Sequence, residues 1–160
     1  MRVLAFISTK DGELFERQIA RGAGISAGSA NAMLKEFAKA GLLRQAKKGK
    51  MLFYRRNDDN PALRQFKVFV TVNSLMPVLD RIADYSARIV LFGSCATGRN
   101  GEESDIDLFV LSGVKASVKQ GLGTEERIKA IVMNGPEYTE LQKKDKPLYD
   151  RINAGIELFG

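Results

Sequence analysis

Gly93-Ser94-Cys95-Ala96-Thr97-Gly98-Arg99-Asn100-Gly101-Glu102-Glu103-Ser104-Asp105-Ile106-Asp107 is the stretch on which the fold of this chain turns. Apolar runs flank it, Ala87-Arg88-Ile89-Val90-Leu91-Phe92 before and Leu108-Phe109-Val110-Leu111 after, and both read as buried strands. A Gly-Ser turn leaves the first strand, and two carboxylates one residue apart enter the second. Strand side chains alternate, so Asp105 and Asp107 point to one side and Ile106 to the other. Paired carboxylates beside a turn rich in backbone N–H groups suit a divalent metal ion and a polyphosphate.

Composition bounds what surrounds this stretch. At 160 residues the chain holds one mid-sized domain or two small ones, and 44% hydrophobic with 28% charged residues is ordinary for a soluble protein. No segment approaches a membrane span, and the first residues lack the pattern of a signal peptide, so a reducing cytoplasmic setting is expected. The single cysteine, Cys95, excludes an internal disulfide, and the absence of histidine excludes a Cys/His zinc site. Without histidine, proton transfer falls to carboxylate, water or metal. Charge is uneven: residues 1–60 hold 12 Lys and Arg against 6 Asp and Glu, while residues 61–160 hold 13 of each. The basic excess belongs to the first part, where contacts to a phosphate backbone would be sought.

The order of elements in that first part is informative. Met1 to Ser8 is a short apolar stretch that fits a helix, although its β-branched residues leave it ambiguous. Glu13 to Arg21 shows helical spacing, and Gly22-Ala23-Gly24-Ile25 breaks it. Ser26 then caps a longer helix to about Ala40, with Ala30, Met33, Leu34 and Phe37 on one face and Gly41 ending it. Residues 42–46 and 51–56 read as strands around the basic tip Lys47-Lys48-Gly49-Lys50. Asn57-Asp58-Asp59-Asn60-Pro61 marks a boundary and a helix start. Helical spacing continues from Ala62 to about Tyr85, with Pro77 expected to bend or split it. These breaks give three regions: 1–60, connecting helices over 61–84, and 85–160.

Helix, helix, turn, helix and basic hairpin, with Gly24-Ile25-Ser26-Ala27-Gly28-Ser29-Ala30-Asn31-Ala32-Met33-Leu34-Lys35-Glu36-Phe37 and then Ala40-Gly41-Leu42-Leu43, resembles the winged helix-turn-helix domain of prokaryotic transcription regulators. The resemblance implies duplex DNA as partner. Ser29, Asn31 and Lys35 would face the groove, and Lys47, Lys48, Lys50, Arg55 and Arg56 would meet phosphates. It also implies pairing of two copies, a homodimer, through the apolar face of the connecting segment. A winged helix serving protein interaction is the alternative.

The second part, with Leu91-Phe92-Gly93-Ser94, then Gly98, then Ser104-Asp105-Ile106-Asp107-Leu108, resembles the nucleotidyltransferase superfamily that includes DNA polymerase beta, in its minimal form. The resemblance covers roughly residues 85–160. The fold expected is therefore α+β: an N-terminal winged helix-turn-helix, connecting helices, and a C-terminal nucleotidyltransferase-like α/β domain with a small mixed sheet. The family implies a nucleoside triphosphate held at Gly93 and Ser94, with Arg99 as a further phosphate contact, and Mg²⁺ held by Asp105 and Asp107, two ions being common in such sites. A hydroxyl attacks the α-phosphate and pyrophosphate leaves; the acceptor would be a small molecule or a protein, such as a toxin partner. Active members usually add a third carboxylate from the next strand, Arg127-Ile128-Lys129-Ala130-Ile131-Val132-Met133, where this chain aligns Lys129. Two functions stay open: a transferase coupled to DNA binding, or a DNA-binding regulator whose transferase-like domain binds a nucleotide or partner without turnover.

Pro136 to Gly160 reads as an amphipathic helix broken near Pro147 and a short terminal strand. Gly22-Ala23-Gly24 and Gly121-Leu122-Gly123 read as turns, since neither has the spacing of a phosphate loop.

Overall fold

A computed structural model describes residues 1–160, which divide into two compact units. One comprises Met1–Lys67 with Gly101–Glu103, and the other Val68–Asn100 with Ser104–Gly160.

The first unit runs α1 (Arg2–Ser8), β1 (Leu14–Phe15), α2 (Glu16–Ala23), α3 (Ala27–Lys39), β2 (Leu43–Lys48) and β3 (Met51–Arg56). Its three strands form an antiparallel sheet in the order β1, β3, β2. Ser26 caps α3 by accepting the Ser29 N–H, and Gly41, at φ 71°, ends it in the left-handed region that glycine tolerates. Ala30 and Leu34 on α3 meet Ile7, Ile19, Leu43 and Tyr54 in a closed core. The helix expected from Glu13 begins at Glu16 instead. Leu14 and Phe15 pair with Tyr54 and Phe53, and this long-range ladder overrides the local helical spacing. The hairpin turns on Gly49 and Lys50 alone, with Lys48 opposite Met51, so Lys47 and Lys48 lie on the strand and not at the tip.

Helix α4 (Pro61–Ile82) begins in the first unit and continues into the second. The Asn60 carboxamide oxygen caps it by accepting the N–H groups of Ala62 and Leu63. The expected break at Pro77 does not occur. Proline removes the donor for the Asn73 carbonyl, but both residues are exposed, so water can take that bond and the helix runs on.

The second unit continues through a single turn at Ala83–Tyr85 to β4 (Arg88–Phe92), α5 (Gly93–Thr97), β5 (Ile106–Leu111), α6 (Lys115–Leu122), β6 (Ile128–Met133), α7 (Gly135–Lys144), α8 (Lys146–Asn153) and β7 (Ile156–Phe159). The sheet order is β6, β5, β4, β7; β5 and β6 run parallel and the other pairs antiparallel. A parallel pair needs a crossover, and α6, which the sequence did not reveal, supplies it. Alternation splits the sheet's side chains between two cores. Ile89, Leu91, Leu108 and Val110 pack with Leu75 and Ile82 of α4, whereas Val90, Phe92 and Phe109 pack with Leu141 of α7 and Ile152 of α8. The break near Pro147 is real: Asp145 ends α7 and caps α8 by accepting the Leu148 N–H.

Candidate functional site

The alternation that sends Phe109 to the α7–α8 face sends Asp107 there too, at the entrance of β5. Gly93, the first residue of α5, stands at φ 73°, and a Cβ placed on it would lie 2.3 Å from Asp107 Oδ2. Only a residue without a side chain lets the turn and the carboxylate approach this closely. The neighbouring backbone fixes Asp105. The buried Cys95 thiol donates to the Asp105 carbonyl at 3.3 Å, the Arg127 guanidinium to the Ser104 carbonyl at 2.9 Å, and the Ile106 N–H to the Arg127 carbonyl at 2.7 Å.

Neither carboxylate accepts a hydrogen bond or forms an ion pair within the chain. Burial, and then the charge of Asp105, push the Asp107 carboxyl above the ordinary aspartate range, while Arg151 of α8 pulls the other way. Such a pair, short of donors and mutually repelling, invites a cation. No third histidine, cysteine or acid joins them. The donor set therefore fits one divalent ion that completes its shell with water and phosphate oxygens, as Mg²⁺ commonly does, and does not fit a cage built by the protein alone.

Lys129 stands in register opposite Asp107 on the parallel strand, and its ammonium donates to the Glu126 carbonyl at 3.1 Å. Glu125 pairs instead with Arg81, at 3.5 Å. Ser94 is half-buried, and its carbonyl accepts the Arg99 N–H, while the Arg99 side chain is exposed. Arg127 and Arg151 went unread in the sequence. The first reaches the loop from β6 and the second arrives on α8, so nothing near the motif announced them.

On the first unit, Ser29 accepts a hydrogen bond from Ser26 at 2.9 Å, and the Asn31 carboxamide donates to Glu16. Lys35, Lys47, Lys50 and Arg55 are exposed and form no ion pair. Lys48 pairs with Glu13 and lies 5.2 Å over the Phe53 ring. Arg56 departs from expectation. Its side chain is 14% exposed, pairs with Asp11 and Asp58 and donates to the Lys10 carbonyl. Adjacent strand residues face opposite ways, so Arg56 follows the buried Tyr54 inward while Arg55 faces out. A cleft of about 510 Å³ between α3 and the hairpin is lined by Phe15, Arg17, Asn31, Lys50 and Leu52, among others.

A mixed sheet with a glycine-led turn and two carboxylates at one end of its central strands defines an α/β domain of nucleotide-handling type. Residues 75–154, half of the chain, match the family described as nucleotidyltransferase domain, and the chain belongs to that family. Membership implies a nucleotide substrate. No curated protein sequence matches the chain. Among solved structures, it is similar to a Sulfolobus solfataricus protein described as a candidate nucleotidyltransferase, at 17% identity and a TM-score of 0.40 over 59% of this chain and 84% of that one. It is also similar to human N-acetylserotonin methyltransferase, at 14% identity and a TM-score of 0.35 over 82% of this chain and 58% of that one. No helix is long and apolar enough to cross a membrane.

Proposed function

We propose that the second unit transfers a nucleoside monophosphate from a nucleoside triphosphate to a hydroxyl acceptor. Asp105 and Asp107 hold Mg²⁺ against the triphosphate, and Gly93 and Ser94 seat its phosphates. The observation that carries this reading is the carboxylate pair without protein donors, one member lying against the open face of Gly93. The acceptor oxygen forms a bond to the α-phosphorus as the bond to the bridging oxygen breaks, and pyrophosphate leaves. When bound, Mg²⁺ neutralises phosphate charge and lowers the attacking hydroxyl's pKa. The chain has no histidine, so the acceptor's proton passes to a carboxylate or to water. Arg151, on the carboxylates' side, and the exposed Arg99 add positive charge where the phosphates would lie.

The first unit is read as a winged helix-turn-helix that binds duplex DNA and associates the enzyme with it, in the manner of a transcription regulator. Its element order, three-stranded antiparallel sheet and basic excess support this reading. Ser29, Asn31 and Lys35 on α3 would address base edges, and Lys47, Lys48, Lys50 and Arg55 phosphates.

Lys129 favours a second reading. A cation opposite Asp107, where a third carboxylate would help the acceptor lose its proton, suits a nucleotide-binding regulator without turnover. A nucleoside triphosphate labelled at the α-phosphate, supplied with Mg²⁺ and a cell extract as source of acceptors, separates the two. Transfer of label by the wild type, abolished in both Asp105→Asn and Asp107→Asn, is the expected result. Equal transfer by the double variant would remove the chemistry from this motif. Nucleotide binding without transfer would select the second reading.

A further inference from the structure

Two cations reach Asp107 from different elements. Phe92 of β4 and Lys129 of β6 stand in register with it on either side, so Gly93 lies at one flank of the carboxylate and Lys129 at the other. Residues in register on parallel strands point the same way, and Ile131 and Met133, further along β6, join Phe109 on the α7–α8 face. Lys129 therefore rises from the face that carries Asp107. Its side chain is exposed, and of its three ammonium donors only the one to the Glu126 carbonyl is engaged. Arg151 comes from α8, where its neighbour Ile152 is buried against the same face. It is exposed and forms no hydrogen bond or ion pair within the chain. Against burial and the charge of Asp105, it draws the Asp107 carboxyl down, so it stands within electrostatic reach of that group.

We propose that Lys129 and Arg151 act in place of a second metal ion: together they hold the α-phosphate of the nucleotide, and the site takes a single divalent cation. Two ions in such a site sit about 4 Å apart and divide the available carboxylates between them. Here no third histidine, cysteine or acid joins Asp105 and Asp107. A second dication beside Asp107 would also meet the repulsion of an ammonium and a guanidinium. Given the nucleotide reading above, on which this rests, the outer phosphates are seated at Gly93 and Ser94. The α-phosphate then passes Asp107 on the way to Lys129, because the order across the sheet is Gly93, Asp107, Lys129. Both side chains have N–H donors to spare there, and phosphate oxygens accept from lysine and arginine alike. Binding of this kind is needed whether or not the nucleotide is turned over.

Counting manganese ions on the full chain is the test, with Mn²⁺ in place of Mg²⁺ and the protein in excess over a non-hydrolysable nucleoside triphosphate. Electron paramagnetic resonance of the free ion gives the number bound per protein–nucleotide complex. One is expected for the wild type and two for Lys129→Glu, in which a carboxylate replaces the cation. Calorimetric titration of the Mg²⁺-loaded nucleotide is the second measurement. Lys129→Met and Arg151→Met are each expected to weaken binding about tenfold, the loss of one charge-assisted contact, and Lys129→Arg to retain most of it. Both side chains are exposed, so melting temperatures are expected to stay at the wild-type level. Two ions on the wild type, or one on Lys129→Glu, overturn the proposal. Wild-type affinity in both methionine variants overturns it as well, and if Asp107→Asn has lost binding at the same time, the nucleotide site itself stands. A wild type that binds no nucleotide removes the site and the proposal together.

Discussion

Asp107 carries its charge at a cost to the folded state. Its carboxyl is held above the ordinary range by burial and by Asp105, so the folded chain binds that proton more tightly than the unfolded chain does. Stability contributed by this residue is therefore lost as pH rises through the raised folded value and regained as pH falls below it, towards the unfolded value of about 3.9. Asp107→Asn is expected to unfold at a higher temperature than the wild type at pH 7 without divalent ions, with the gap closing near pH 4. Melting curves at the two pH values check this, and a variant less stable than the wild type at pH 7 would contradict it. A site that folds less well without its ligand is a common sign of function. The period of two that sends Asp107 to the side of Phe109 was readable from the sequence, whereas Asp105 is exposed one residue before β5 and is tied to Asp107 by its charge. The same rule applied to Arg55 and Arg56 shows that only one of them can face out, and the expectation that both meet phosphate overlooked it. Arg151 had no signal near the motif, because tertiary packing alone brings α8 to β5.

Among elements, those fixed by local chemistry were readable and those fixed by distant pairing were not. Ser26 and Gly41 announce the ends of α3, and Asn60 before Pro61 announces the start of α4. By contrast, β1 exists only because Phe53 and Tyr54 lie beside it, and α6 is required by a parallel pairing that no local pattern displays. The closing turn at Gly155 is another such case. A Cβ there would lie 2.5 Å from the Leu91 carbonyl oxygen and 2.6 Å from Val90 Cγ1, so the turn between α8 and β7 presses directly on β4. Backbone cannot step aside as a long side chain can. Gly155→Ala is expected to cost about 1–3 kcal/mol, as overpacking does. Gly135→Ala, where nothing lies within 4 Å of the added atom, is expected to stay within about 0.5 kcal/mol of wild type. Denaturant unfolding of the pair measures the difference, and equal midpoints would show that the turn relaxes freely.

For the whole molecule, the basic excess lies in residues 1–60 and residues 61–160 are balanced, so the proposed DNA contact is tested on the first part. If the first unit binds duplex DNA, the affinity of the full chain falls steeply with salt. Neutralising Lys47, Lys50 or Arg55 is then expected to lower the slope of log affinity against log salt by about 1 each. Arg56→Gln is expected to lower stability more than the slope, since Asp11 and Asp58 hold that side chain. Fluorescence anisotropy with duplex DNA over a salt series reads these slopes, and no binding at low salt would remove DNA as partner. At this scale the sequence showed the charge asymmetry and the family resemblance of its second part. The lysine at the third-carboxylate position was legible and stands opposite Asp107; turnover was not, because it depends on whether a group outside the motif takes the acceptor's proton. The central claim is that Asp105 and Asp107 bind a metal-bound triphosphate at Gly93. Calorimetric titration of a non-hydrolysable nucleoside triphosphate into the protein, with and without Mg²⁺, tests it most directly. The account predicts Mg²⁺-dependent binding that weakens at least about tenfold in Asp107→Asn, the loss of one charge-assisted metal ligand. Binding of equal strength in wild type and Asp107→Asn, or binding indifferent to Mg²⁺, would contradict it.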